Sequence, residues 1–444
     1  MIQRLFLLLL VLGVAARVAA QTAPPPNVVL IITDDMGHGD LGVTGATDIR
    51  TPNLDALARG GIRFTEFYAN GPLCTPTRAA LISGRYQQRV AIEEAFGGAT
   101  SSFAERGLPV RGTSLPQLLK RRGYATGLIG KWHLGYKPEF SPAAHGFDTF
   151  WGIKSGYVDY YHHTDGAGRP DLFDGDTPTT VDGYMTDLIT ARALRFVREQ
   201  RSRPFFLEVA YTAPHWPYQP PGRPSRAARN AAHLDARDDD PGTRADYARM
   251  VERADAGIGE LVRLLDSLGL ARNTLVIFTN DNGGEWLSRN APFRHRKWTL
   301  WEGGIRVPTI MRWPGRIAPG RTTTQVGITM DLTATIAAAA GVTVPREAGH
   351  EGMNLLPTAL ESQRGPQARQ LFWRTRAGGV TQQAVRDGDW KLLVDGPSAL
   401  LFNVREDPGE TRDLAARRPE IARRLGALLR SWNQSVDADS GTRR

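Results

Sequence analysis

Two matching strand ends constrain this chain more than any other feature. Asn27-Val28-Val29-Leu30-Ile31-Ile32-Thr33 is a short apolar, β-branched run that stops abruptly at Asp34-Asp35-Met36-Gly37. Thr274-Leu275-Val276-Ile277-Phe278-Thr279 stops in the same way at Asn280-Asp281-Asn282-Gly283-Gly284. A strand apolar along its whole length has to be covered on both faces. Helical patterns supply the cover. Thr51 and Pro52 give an N-cap and a first helical residue, and Gly60-Gly61 stops that helix. Pro116–Arg122, Tyr184–Glu199 and Arg244–Leu268 read as further helices, and Ala125–Gly130 and Phe205–Tyr211 as further strands. Strands alternating with helices predict an α/β fold, with a large mixed, mostly parallel sheet and helices on both faces.

From about residue 365 the pattern changes. Gln383–Arg386, Trp390–Val394 and Leu400–Val404 are closely spaced short strands, and Pro419–Trp432 is a closing helix. A small antiparallel sheet with one packed helix fits them, and the last dozen residues are expected to fray. Residues 219–243, rich in Pro, Arg, Asp and Gly, read as a surface excursion. The chain shows no repeat of the kind that builds solenoids or propellers.

The first 20 residues form a separate object. Arg4 precedes the apolar run Leu5–Ala16, and Val18-Ala19-Ala20 is a small-residue cleavage site. This is a secretory signal pattern, and the run is shorter than the roughly 20 residues of a spanning helix. The predicted division is therefore a signal peptide over 1–20, a large domain over 21–364 and a small C-terminal α+β subdomain over 365–444. No other stretch is apolar and long enough to cross a membrane. The expected location is the periplasm or the exterior of a bacterial cell. Lys+Arg 55 against Asp+Glu 46 leaves a modest +9, which fits an anionic substrate or a polyanion surface. The basic residues are scattered, which argues against nucleic acid as a partner.

In open α/β sheets, sites form beyond the carboxyl ends of the strands. If the two strands are neighbours, Asp34, Asp35, Asp281 and Asn282 converge. Oxygen donors without a His or Cys partner suit a hard cation, calcium first and magnesium second. An Asp at a strand end is ordinarily a turn former or helix cap; two such pairs in one chain favour the metal. The single cysteine, Cys74, lies in Cys74-Thr75-Pro76-Thr77-Arg78-Ala79-Ala80-Leu81-Ile82-Ser83-Gly84-Arg85. Pro76 marks a first helical turn, so Cys74 is predicted at a helix N-terminus with Arg78 one turn along. By physics alone this is an activated nucleophile at an anion site.

The Cys-x-Pro-x-Arg and Leu-x-x-Gly-Arg frame resembles the signature of the type I, formylglycine-dependent sulfatases of the alkaline phosphatase superfamily. The resemblance covers most of the chain. It includes Asp34-Asp35-Met36-Gly37-His38-Gly39-Asp40-Leu41-Gly42, Gly130-Lys131-Trp132-His133-Leu134-Gly135, His145-Gly146-Phe147-Asp148 and Pro214-His215-Trp216-Pro217. Lys297 with Glu302-Gly303-Gly304-Ile305-Arg306-Val307-Pro308 matches a late segment of the family, and Asp407-Pro408-Gly409-Glu410 a tail motif. Trp298 stands where the family usually has glycine. The resemblance implies an alkaline-phosphatase-like fold, a catalytic domain over 21–364, and hydrolysis of sulfate monoesters, either aryl sulfates or sulfated sugars.

It also implies that a maturation enzyme converts Cys74 to Cα-formylglycine. The calcium would be held by Asp34, Asp35, Asp281, Asn282 and residue 74. Arg78 would fix residue 74. Lys131, Lys297 and His215 would bind sulfate, with His215 or Lys297 protonating the leaving oxygen and His133 acting as base. Taken singly, His133 and His215 read as core histidines and Lys131 and Lys297 as surface charges; order and spacing give them their roles. His145 is expected to be structural, and His162 and His163 to line a substrate entrance. A phosphonate or phosphate monoester hydrolase of the same superfamily is the alternative, and a binding protein on an inactive scaffold a second.

Overall fold

A computed structural model describes residues 24–97, 104–223, 241–376, 379 and 381–439. The signal pattern of residues 1–20 and most of the 219–243 excursion lie outside them. Ten strands form one sheet. From edge to edge they are Arg321–Thr323, Ile62–Phe64, Thr309–Arg312, Thr274–Asn280, Asn27–Thr33, Phe205–Ala210, Ala125–Lys131, Thr149–Ile153, Phe173–Asp174 and Thr177–Pro178. The five from Thr274–Asn280 to Thr149–Ile153 run parallel, and Thr309–Arg312 runs against its neighbours. The expected mixed, mostly parallel sheet is observed.

The two matching strands are direct neighbours, with Ile32 opposite Thr279 and Thr33 opposite Asn280. Every residue of both is buried. Val29 and Ile31 face a core covered by helices Pro52–Arg59, Met185–Gln200 and Arg244–Ser267. Val28, Leu30 and Ile32 face the opposite core, covered by Cys74–Ser83, Leu115–Arg121 and Met330–Ala339. Period-two alternation thus feeds two cores from one strand.

The tail is a four-stranded antiparallel sheet, Gln370–Thr375, Gln382–Asp387, Trp390–Asp395 and Ser398–Asn403, with helix Pro419–Asp439 packed on it. Its first strand was not foreseen. Of the last dozen residues, expected to fray, those up to Asp439 are helical, with Arg374 donating to Asp437 at 2.7 Å and Arg89 to the Ser435 hydroxyl at 3.1 Å; residues 440–444 lie outside the described residues. Among the described residues no helix is long and apolar enough to cross a membrane.

Candidate active site

The register places four chain ends side by side. Asp34 follows Asn27–Thr33, Asp281 follows Thr274–Asn280, Lys131 closes Ala125–Lys131, and Thr212–His215 follow Phe205–Ala210. Backbone bonds extend the ladder past the strands: Asp281 N–H donates to Thr33 O at 3.2 Å and Asp34 N–H to Ala213 O at 3.1 Å. Asp35 then turns the chain with φ 64°, a left-handed conformation that Asp tolerates better than most residues. Asn280 braces this turn. Its side-chain oxygen accepts from Thr33 Oγ1 at 2.9 Å and Met36 N–H at 3.2 Å, and its Nδ2 donates to Met36 O at 3.0 Å.

Cys74 is the first residue of helix Cys74–Ser83, as expected, and Gly84 closes that helix at φ 67°. The helix dips its N-terminus into the cluster. Ligand atoms of Asp34, Asp35, Cys74 and His215 all lie within 4.8 Å of one another. Lys131 Nζ donates to Asp34 Oδ2 at 2.5 Å, and Lys297 Nζ to Asp35 Oδ2 at 2.7 Å. His215 Nε2 lies 3.4 Å from Asp35 Oδ2, and Asn282 Nδ2 donates to Asp35 Oδ1 at 2.7 Å. The residues singled out in sequence therefore meet at one buried point, with His133 on the adjoining loop.

With a thiol at position 74, the Arg78 guanidinium is engaged elsewhere. Its Nε and Nη2 donate to Asp281 Oδ2 at 3.2 and 2.9 Å, and its Nη1 to Lys131 O at 3.0 Å. A long side chain reaches past the residue one turn below it, so Arg78 anchors Asp281. The expectation of an activated Cys74 thiol changes. It is 2 % exposed, its Sγ lies 3.5 Å from Asp34 Oδ1, and burial followed by the Asp34 charge pushes it up, away from the thiolate.

The acids show what the cluster lacks. Burial, then Asp281, pushes Asp34 up to about 6. Burial raises Asp35 well above the usual carboxylate range; Lys297 opposes this, while Asp34, Glu285 and Asp281 add to it. Asp281 Oδ1 and Asn282 Oδ1 are buried with no hydrogen-bond partner. Unsatisfied buried oxygens among mutually repelling carboxylates fit a hard cation. Burial holds both histidines neutral. His215 Nδ1 pairs with the Trp216 carbonyl. His133 Nε2 lies 2.8 Å from Phe96 O and its Nδ1 has no partner.

Other motif residues serve elsewhere. His145 is buried and bonded to Leu108 O at 3.1 Å, the structural role expected. His163 is buried against Gly183 O at 3.1 Å, so it lines no entrance, while His162 pairs with Asp159 at 3.0 Å. Glu302, from the late segment, pairs with Lys391 of the tail at 2.9 Å, and Arg306 donates to Glu302 and to the Thr65 carbonyl, each at 2.7 Å. Sequence reading missed Glu285, 3.9 Å from Lys297 Nζ, and Tyr157, whose ring stacks on His215 at 5.5 Å. Neither carries a motif; only the fold brings them in.

Known proteins resemble this chain over most of its length. The sulfatase family profile matches residues 26–342, and the profile of the N-sulphoglucosamine sulphohydrolase C-terminal region matches 293–432. N-acetylgalactosamine-6-sulfatase of Mus musculus is 37% identical over 410 residues, 86% of this chain and 75% of its own. Arylsulfatase A of Homo sapiens is 33% identical over 479 residues, 94% and 89% of the two chains. The crystal structure of Ps i-CgsB superposes with a TM-score of 0.82 at 29% identity, covering 94% of this chain and 98% of that one. With most of its length matched, the chain belongs to the sulfatase family and is a sulfuric ester hydrolase.

Proposed function

We propose that this protein hydrolyses sulfate monoesters of sugars, using formylglycine derived from Cys74 and a calcium ion. The observation that carries the reading is the convergence of Asp34, Asp35, Cys74 and His215 within 4.8 Å, beside the unpartnered oxygens of Asp281 and Asn282. Asp34, Asp35, Asp281, Asn282 and residue 74 would hold the calcium, which would neutralise sulfate oxygens and acidify a neighbouring hydroxyl. The hydrated formylglycine would supply two hydroxyls, one to attack sulfur and one whose deprotonation lets sulfate leave; a thiol supplies neither.

The chain's own side chains divide the remaining work. Arg78 holds Asp281, and through it the floor of the site. Lys131 and Lys297 flank the cluster as the cations that receive an anionic ester. Lys297 is also the proton source for the leaving oxygen. Its ammonium is held at the cluster, 2.7 Å from Asp35 Oδ2. His215, with Nδ1 on the Trp216 carbonyl, turns Nε2 toward the cluster, 3.4 Å from Asp35 Oδ2; as an imidazolium it would donate from there to a sulfate oxygen. His133, neutral with a free Nδ1, is the base for the second half of the reaction.

The sugar part of the reading rests on relatives. One is named for N-acetylgalactosamine 6-sulfate, and Ps i-CgsB, 28% identical with a TM-score of 0.81, was crystallised with a neocarrahexaose. Residues 21–364 would then be the catalytic domain and 365–444 its subdomain. Export through the 1–20 signal peptide and a formylglycine-generating enzyme complete the scheme. The test is sulfate release from sulfated sugars, phenyl sulfate and a phenyl phosphonate ester, before and after chelation. Sulfate release that chelation abolishes and calcium restores better than zinc supports the reading. Faster phosphonate cleavage would make the phosphonate hydrolase the better account. Full activity after exhaustive chelation would remove the metal.

A further inference from the structure

Three large apolar side chains are exposed among the described residues, and two of them belong to the segment that carries Lys297: Trp286, 60% exposed, and Trp298, 42% exposed. Neither is part of an apolar core cluster. Exposed indoles without a packing role mark a recognition surface. We propose that Trp298, with Trp286 beside it, is the platform on which the sugar ring of the substrate stacks; this rests on the sugar-sulfatase reading above.

The ring of Trp298 is fixed and close to the reacting groups. Its backbone adopts φ 81°, a left-handed conformation that favours glycine. Its N–H donates to the carbonyl of Pro72, two residues before Cys74, at 3.0 Å. Its indole Nε1 donates to Glu285 Oε1 at 2.9 Å. The Lys297 ammonium lies 5.8 Å from its ring centroid and 2.7 Å from Asp35. Trp286 adjoins Glu285 in the chain, and the Arg296 guanidinium covers its ring at 5.0 Å. Across the cluster, Tyr157 stacks on His215. Backbone conformation here calls for glycine, so the indole answers another need. A rigid indole face takes the C–H face of a pyranose while its charged neighbours take the hydroxyls.

The test uses matured full-length enzyme carrying Trp298→Gly, Trp298→Phe or Trp286→Ala. Glycine fits the backbone at position 298, so folding is preserved. The readouts are KM for a 6-sulfated galactosamine disaccharide, KM for phenyl sulfate, and inhibition by inorganic sulfate. Trp298→Gly is expected to raise the disaccharide KM about tenfold relative to the inhibition constant of sulfate, and Trp298→Phe to recover most of that loss. Trp286→Ala is expected to raise the same ratio about threefold. Equal rises in both constants would mean that Trp298 only positions Lys297, and an unchanged KM would mean no platform; either overturns the proposal. An equal rise for phenyl sulfate would overturn the sugar assignment. Tryptophan fluorescence with the desulfated disaccharide needs no turnover: quenching in wild type that Trp298→Gly abolishes supports the platform, and its absence overturns it. A wild type that quenches but releases no sulfate from any ester would instead fault the sulfatase reading.

Discussion

Two regions of this protein bury charge to a similar degree, and they are built in opposite ways. At the strand ends, Asp34, Asp35 and Asp281 meet Arg78, Lys131 and Lys297. At the seam with the tail sheet, Glu66, Glu302 and Glu410 meet Arg306, Lys391 and Arg386. The seam has three acids to three cations; the site, with Glu285 3.9 Å from Lys297, has four acids to three. In the seam the cations stand between the acids: Lys391 Nζ lies 2.9 Å from both Glu302 and Glu410. Burial would raise Glu302, but Lys391, Arg306 and Arg386 outweigh it and hold the carboxyl down at about 2. In the site the acids face one another, and Asp34 is pushed up to about 6. Buried charge alone therefore says little about function. The informative feature is a cluster whose acids outnumber its cations; unpartnered oxygens alone do not separate the two regions, since Glu410 Oε1 in the seam also has no hydrogen-bond partner.

Exchanging one charge in each region tests this contrast. Asp35→Asn removes a repelled carboxylate; asparagine keeps the shape and tolerates the left-handed backbone. Sulfate release should fall on the order of 10³-fold while stability changes by less than about 1 kcal/mol. Urea unfolding and steady-state rates check both halves, and a large stability loss with intact turnover would collapse the distinction. Lys391→Met is the reciprocal change. Two carboxylates, Glu302 and Glu410, would be left buried without their shared cation, at a cost of about 3–5 kcal/mol. Activity per folded molecule should stay within about twofold, since no seam residue touches the cluster. A rate loss that outlasts correction for the folded fraction would show that the seam reaches the chemistry.

Acid sharpens the same comparison with a smaller effect. Glu302 sits below its unfolded value of 4.5, so its contribution is present above about pH 4.5 and fades as pH falls toward 2. Glu302→Gln should lose that part of the acid dependence, roughly 1–3 kcal/mol by denaturant titration at pH 7 against pH 3. Identical acid profiles for the variant and wild type would mean that Glu302 is not the ionised member of the seam.

The sequence disclosed the site more fully than the seam, for a physical reason. Asp34-Asp35 and Asp281-Asn282 each follow an apolar strand within a few residues, and Cys74 opens a helix marked by Pro76, so local pattern alone locates them. Glu302 meets Lys391 and Glu410 across 89 and 108 residues, and no periodicity records such a contact. The short strands Ile62–Phe64, Thr309–Arg312 and Arg321–Thr323 were invisible for the same reason: three or four residues carry too little alternation, and pairing at the sheet edge makes them strands. The bond from Arg78 to Asp281 was not legible, because helix spacing fixes where a side chain starts, not where a flexible one ends. Trp298 is the opposite case. The tryptophan was plain in the sequence, and φ 81° gives it meaning: it sits on a backbone conformation that favours glycine.

The most direct measurement is the mass of residue 74 in active enzyme. Trypsin releases Phe64–Arg78 as one peptide. The account predicts that this peptide has lost the thiol sulfur, reacts with hydrazide as an aldehyde does, and that specific activity across preparations rises in proportion to the converted fraction. Cys74→Ala should fold and release no sulfate. Fully active protein with an unmodified thiol at position 74 would contradict the account, because a buried thiol beside Asp34 would then be the nucleophile after all.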